Sequence, residues 1–467
     1  MIRTRLLLRL LAIAVAAALL MAAAATDAPA AAVTADEAAA VADYWYAAEL
    51  NAGAARLGAS EMLNRFKGMA NRQVLYLTSA DDLRELPPDK EQVWAYVVLY
   101  APSGYVIVSG DDTVDAVVAF DVKAPFSWGP ESGFLRAFLS RMIEWRRNAR
   151  AVQEDGGGMH PNWLVLRDKL AGGGSLQSAS LVPSETFIQF DTALWGQGFP
   201  YNELVRSQNG GTNVPTGCTA TAMATLMRYF QWPWTGSGSH SYTDSWGSVK
   251  YSHSANFGAA YYDYSQMPTN VLTTSNSEVA ELMYHCAVSV DMNFEVGGSG
   301  AWGDAGVMNN NFRYRGTIDK TSGHDAPIQE CVLAKVPVIL STSDHTVVCC
   351  GYRSSPSPYY YINGGHNNSD DGWYNLDNLT WGDDWIIDHS YPYGVPNNYV
   401  YVDSAWGGSE NGTLSNPYNT VSEGNANVPT GGFLMLRGRT YTGAGNEPIT
   451  ITKRMLIQSY RGTAVIR

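Results

Sequence analysis

The sequence predicts an α+β protein built from several parts, and three observations carry that expectation. The chain has 467 residues, room for two or three domains at about 150 residues each. Hydrophobic residues make up 45% and charged residues 16%, enough apolar side chains to exclude disorder over the whole chain. In the central part, helix-period segments come first and short strand-like runs follow from Val336. The charge also excludes a class of partner. Thirty-one basic against 44 acidic side chains give −13, without a local basic patch, so no nucleic-acid partner is expected.

Residues 1–32 read as an export signal. Arg3, Arg5 and Arg9 precede an apolar run from Leu10 to Ala25, and small residues up to Ala32 offer cleavage sites. The run is too short for a membrane anchor, and no later segment is apolar enough to span a bilayer, so no membrane association is expected after cleavage.

Residues 33–180 read as a small α+β module with a processing linker. Ala38, Ala39, Val41, Ala42, Trp45 and Ala48 recur at helical spacing, and Val74–Leu77, Trp94–Tyr100, Tyr105–Ser109 and Ala116–Phe120 read as strands. A second helix is expected over Phe134–Val152. Gly156–Gly158 and the stretch Ala171–Ser180 are Gly/Ser-rich, the composition of flexible, nickable segments.

Residues 181–397 hold the residues with chemical potential. Helices are expected over Cys218–Phe230, Glu278–Val288 and Ala305–Phe312, then strands over Val336–Leu340, Thr346–Cys350 and Tyr359–Ile362. Residues 398–467 read as a β-only module, with strands at Tyr399–Asp403, Gly432–Leu436, Ile449–Ile451 and Met455–Gln458.

The five cysteines sit in one central stretch, mostly inside apolar runs, which argues against a disulfide framework. Vicinal Cys349 and Cys350 read as buried small hydrophobes. Cys218 differs. Pro215-Thr-Gly217 delivers it to the first turn of a long helix, where unpaired N–H groups favour the thiolate. Gly217 allows a substrate backbone to come close.

A cysteine nucleophile needs a base, and the base needs an orienting group. His345 stands at a strand entrance beside polar Ser341–Asp344. Eighteen residues later Asn363 ends the partner strand, where its amide could hold the imidazole. Both follow Cys218 at about the 130–150 residues typical of papain-like sites. The histidines are scattered and no Cys/His ligand spacing appears, so neither a metal nor a cofactor is expected.

These motifs resemble the streptopain family of secreted bacterial cysteine peptidases. The likeness rests on Trp195–Asn202, Gly217–Pro233, Glu281–Met292, His345–Val348 and Tyr360–Gly364, followed by Ser369–Tyr374. Ala95–Val98 and Gly104–Asp112 resemble that family's propeptide, so the resemblance covers about Ala95 to Leu379. It implies a papain-like domain with Cys218 as nucleophile, His345 as general base and acid, and Asn363 as orienter. It implies Gln197 as oxyanion donor and Ser299 and Asp344 as substrate-backbone contacts, beside the substrate-binding Gly217 already read from the turn. The implied partners are protein or peptide substrates and the chain's own propeptide, acting as an intramolecular inhibitor. The tail resembles the opening rungs of a pectate-lyase-like β-helix.

Two positions depart from the family pattern. Ser343-Asp344 precede the histidine where the family has glycine, and Gly364 follows Asn363 where the family has a shielding tryptophan, a role open to Trp373 or Trp381. The expected activity is that of an exported cysteine endopeptidase zymogen. Acyl transfer by the same triad, or a catalytically degenerate surface binding or adhesion protein on a peptidase scaffold, are the alternatives.

Overall fold

The computed structural model describes residues 32–53, 59–79, 81–88, 91–129, 133–152, 159–173, 175–181, 186–245, 249–301, 305–315, 325–341, 345–376, 389–391 and 395–467. The expected export signal and Asp344 lie outside them. The chain divides into two compact units. One comprises Met1–Thr186 with Arg353–Tyr359 and Gly372–Thr380, the other Phe187–Tyr352, Tyr360–Asp371 and Trp381–Arg467.

The first unit is an antiparallel sheet with helices. Its strands run in the order Asp82–Arg84, Gln73–Ser79, Ala95–Leu99, Tyr105–Ser109, Val117–Asp121 and Gly372–Tyr374. The last is contributed by the distant C-terminal part of the chain, with Trp373 opposite Phe120 and Tyr374 opposite Ala119. Strands Ala95–Leu99, Tyr105–Ser109 and Val117–Asp121 are apolar on both faces because both are covered.

Helix Ala35–Ala52 starts at Thr34, whose hydroxyl accepts from the Glu37 N–H. Ala38, Ala39, Ala42, Ala47 and Ala48 are buried, and Trp45 reaches Phe120 and Tyr359 at ring-centroid distances of 5.5 and 5.8 Å. Borrowed Arg353 pairs with Glu49 at 2.6 Å. The second helix extends over Gly133–Val152, and its Arg146 is buried against Asp111 at 3.3 Å.

The expected flexible linker is only partly so composed. Residues 175–181 pack inside this unit. The Asn51 amide donates to the carbonyls of Leu176 and Ala179, the Tyr44 hydroxyl donates to that of Ser180, and Ala179 is buried. Satisfied carbonyls and a buried methyl hold a segment whose composition alone reads as a tether.

In the second unit, helices Cys218–Phe230 and Ser277–Ser289 share one core that includes Ala220, Ala224, Leu282 and Met283, with Cys286 Sγ 3.7 Å from the Met227 sulfur. Beside them lies an antiparallel set in which Thr346–Arg353 runs between Val338–Ser341 and Tyr359–Asn363. The helix puts Cys218 at its N-terminal end, and the strands put His345 and Asn363 at their ends.

The tail belongs to this same unit. Tyr399–Val402, Phe433–Arg437 and Leu456–Tyr460 form a parallel three-stranded sheet, and Thr440–Tyr441 pairs in parallel with Val465–Ile466. It is not β-only: helix Val421–Asn427, opened by a capping box of Thr420 and Glu423, lies against the sheet. Ile449–Ile451, expected as a strand, forms none. Arg461 and Arg437 both pair with Glu330 on helix Asp325–Leu333, and Tyr399 packs on Phe230 at 5.6 Å.

Candidate active site

Gly217 precedes the helix with φ +91°, a conformation that strains any other residue. A Cβ there would also lie 2.5 Å from the Met292 sulfur. Its carbonyl accepts from the Thr221 N–H and hydroxyl, which fixes the turn that presents Cys218. The Thr216 N–H donates to the Gln197 carbonyl at 2.9 Å, so residue 197 lies beside the same turn.

Cys218 is half-buried, and the other four cysteines are buried; all five are free thiols. The Cys218 thiol is hydrogen-bonded to His345 and Thr346. Burial pushes this thiol up, and the His345 charge and hydrogen bond, with the backbone and hydroxyl hydrogen bonds of Thr346, outweigh it and hold it at about 7. Burial pushes His345 down. Cys218, the Asp370 charge and the Gly364 carbonyl outweigh that and raise it to about 9. With the imidazole the stronger base, the proton belongs on His345 and the thiolate forms. The other thiols go the opposite way: burial raises Cys349 to about 12 and pushes Cys286, Cys331 and Cys350 up as well.

The orienting contact differs from expectation. His345 Nε2 meets the Gly364 carbonyl at 2.9 Å, whereas the Asn363 amide donates to Thr192 Oγ1 and the Ala193 carbonyl and accepts from the Gly365 N–H. Asn363 is buried and saturated by these bonds. It shapes the turn whose next carbonyl faces the imidazole. Gly364 is in turn held by its N–H, which donates to Asp371 at 2.9 Å.

Residues 195–374 match the Peptidase C10 family. That match, with the relatives below, supports a streptopain-like cysteine peptidase domain over these residues. Over 296 residues it is 27% identical to the thiol protease/hemagglutinin PrtT of Porphyromonas gingivalis, covering 60% of this chain and 33% of that protein. The chain thus spans one third of that relative's length. Over 315 residues it is 25% identical to streptopain of Streptococcus pyogenes, covering 61% of this chain and 74% of that one. A fragment of Prevotella intermedia prointerpain A shares the fold, with a TM-score of 0.50 at 23% identity over 68% of this chain and 97% of the fragment. The α+β, papain-like fold class is that of this peptidase.

Within the peptidase domain, Ser299 donates to the Pro215 carbonyl at 2.7 Å, and its own carbonyl would lie 3.3 Å from a Cβ on Gly217. Ser299 therefore lies beside the turn at Gly217 that precedes Cys218. Two tryptophans were open to the shielding role. Trp373 belongs to the first unit, against Arg353, and Trp381 lies outside the described residues. The ring stacked on His345 is His366, with centroids 4.7 Å apart and planes 14° apart. Sequence reasoning missed His366, Asp370 and Thr346, and took Gly364 only as a departure from the family pattern, without the role of its carbonyl. The one local signal was the four-residue spacing of His366 and Asp370. Among the described residues no cluster suits a metal ion.

Proposed function

We propose that the protein is an exported cysteine endopeptidase made as a zymogen, in which Cys218 attacks a peptide carbonyl and His345 protonates the leaving amine. The observation that carries this reading is the paired thiol and imidazole at a helix start, with the thiol at about 7 and the imidazole at about 9. The Gly364 carbonyl orients the imidazole and favours its charged form. The Cys218 N–H at the helix N-terminus and the Gln197 amide serve the oxyanion. Gly217 and Ser299 line the peptide path.

The zymogen reading draws support from the first unit, where residues 32–186 form a folded module that takes in Arg353–Tyr359 and Gly372–Tyr374. We assign residues 33–180 of that module as the propeptide and inhibitor, and residues 1–32 as the export signal. Among the described residues no helix is long and apolar enough to cross a membrane.

The test is hydrolysis of casein and of a fluorogenic peptide by the purified chain. Cys218→Ala is expected to lower turnover by at least about 10³ at an unchanged thermal midpoint. Equal turnover by the variant overturns the assignment. A stable wild-type chain that has been processed to remove the propeptide and still hydrolyses neither substrate points to the binding-scaffold alternative.

A further inference from the structure

His366 is engaged on three sides at once. Its face lies on His345, its Nδ1 is 3.2 Å from Asp370 Oδ2, and its Nε2 is 3.0 Å from the Gln197 side-chain nitrogen. The donor and acceptor roles follow from elementary chemistry. Asp370 is fully buried, and a carboxylate only accepts, so the imidazole proton sits on Nδ1. Nε2 then offers a lone pair, and the Gln197 NH2 donates to it. An inverted amide would turn its oxygen toward that lone pair, so the amide has one favourable orientation. An amide nitrogen carries two N–H bonds, and the second remains for an oxyanion.

The unusual Gly364 belongs to the same arrangement. A Cβ on Gly364 would lie 2.0 Å from Asp370 Oδ1 and 2.4 Å from its Cγ. The Asp370 carboxyl therefore fills the space a side chain at 364 needs, and a tryptophan there is excluded while Asp370 holds His366. The loop also closes tightly on the Gln197 segment. Asn367, at φ +57°, donates its N–H to the Trp195 carbonyl, and its side chain would lie 2.6 Å from a Cβ on Gly196.

We propose that His366, with its tautomer set by Asp370, is a positioning residue that fixes the Gln197 amide as an oxyanion donor while its ring supports His345. This rests on the peptidase reading given above. It makes Gly364, His366 and Asp370 one coordinated substitution for the family's aromatic shield, so the departure from the family pattern preserves function.

The full chain tests this with His366→Phe, Gln197→Ala and the double variant on a fluorogenic peptide. His366→Phe keeps a ring face but removes both nitrogens. Each single variant is expected to lose kcat by about 10- to 100-fold with KM within about threefold, because one oxyanion donor is misplaced or absent. The double variant should be no more than about threefold slower than either single. His366→Gln, whose carbonyl can accept from Gln197, should recover part of the loss. Additive losses, or a His366→Phe variant as fast as wild type, overturn the proposal. Nitrogen-15 spectra of the histidines supply a readout independent of turnover. His366 should carry its proton on Nδ1, and the Gln197 side-chain amide signals should shift in His366→Phe. An Nε2-protonated His366 overturns the proposal even in an active enzyme. An inactive wild type with the Nδ1 tautomer and that amide shift instead overturns the peptidase reading and supports the positioning contact.

Discussion

Asn363 bonds to Thr192, Ala193 and Gly365, and Gly364 faces the imidazole, so the two neighbours separate a structural from a chemical task. Asn363→Ala leaves a buried carbonyl and N–H without their partner, and should lower stability by about 2–4 kcal/mol. A chemical denaturation series measures that loss, while kcat per folded molecule should fall less than about tenfold. Loss of turnover at unchanged stability would return the orienting role to Asn363. A second expectation concerns pH. Cys218 loses its proton above about 7 and His345 keeps its own up to about 9, so the thiolate–imidazolium pair is most populated between. The profile of kcat/KM should therefore rise through about 7 and fall through about 9, as two steps of one coupled pair. A single step with no alkaline fall contradicts it. Cys218 and His345 were legible in the sequence because each stands at the start of an element with its chemistry exposed by local context. His366 was not, since its bond to Gln197 spans 169 residues and no local pattern encodes it.

Among the elements, long periodic segments were the readable ones: helix Cys218–Phe230 and the strands of the first unit follow their apolar spacing. Helix Val421–Asn427 escaped because Gly, Ser and Asn dominate it, although Thr420 and Glu423 stand at capping-box spacing. Ile449–Ile451 misled because three β-prone residues without a partner strand remain a loop. The Gly/Ser-rich stretch failed for another reason: composition registers freedom, but Asn51 and Tyr44 reach it from more than 120 residues away. Its opening is therefore adjustable. Asn51→Ala removes two hydrogen bonds, worth about 1–2 kcal/mol together, and should speed nicking within residues 175–181 by about 5- to 30-fold. Limited proteolysis with mass mapping reads this. Equal rates would mean that the packed segment is not the barrier to cleavage.

For the whole molecule, one helix links two jobs. Cys218 opens it, and Phe230, about 18 Å away at 1.5 Å per residue, ends it against Tyr399 of the tail. Deleting residues 398–467 should leave kcat/KM for a short peptide within about threefold, because the thiol is remote. The same deletion uncovers Phe230 and leaves Glu330 without Arg437 and Arg461, so the thermal midpoint should drop and an apolar dye should bind. Loss of peptide hydrolysis in a folded truncation would place the tail inside the catalytic unit.

The way thiols are distributed has a practical reach beyond mechanism. Four are sealed inside and held protonated by burial, and the fifth is half-buried and ionises near neutrality. A mild alkylating reagent should therefore take up one equivalent per competent chain and stop. The molecule carries its own calibration standard, and the uptake counts the working copies in any preparation before a substrate is added.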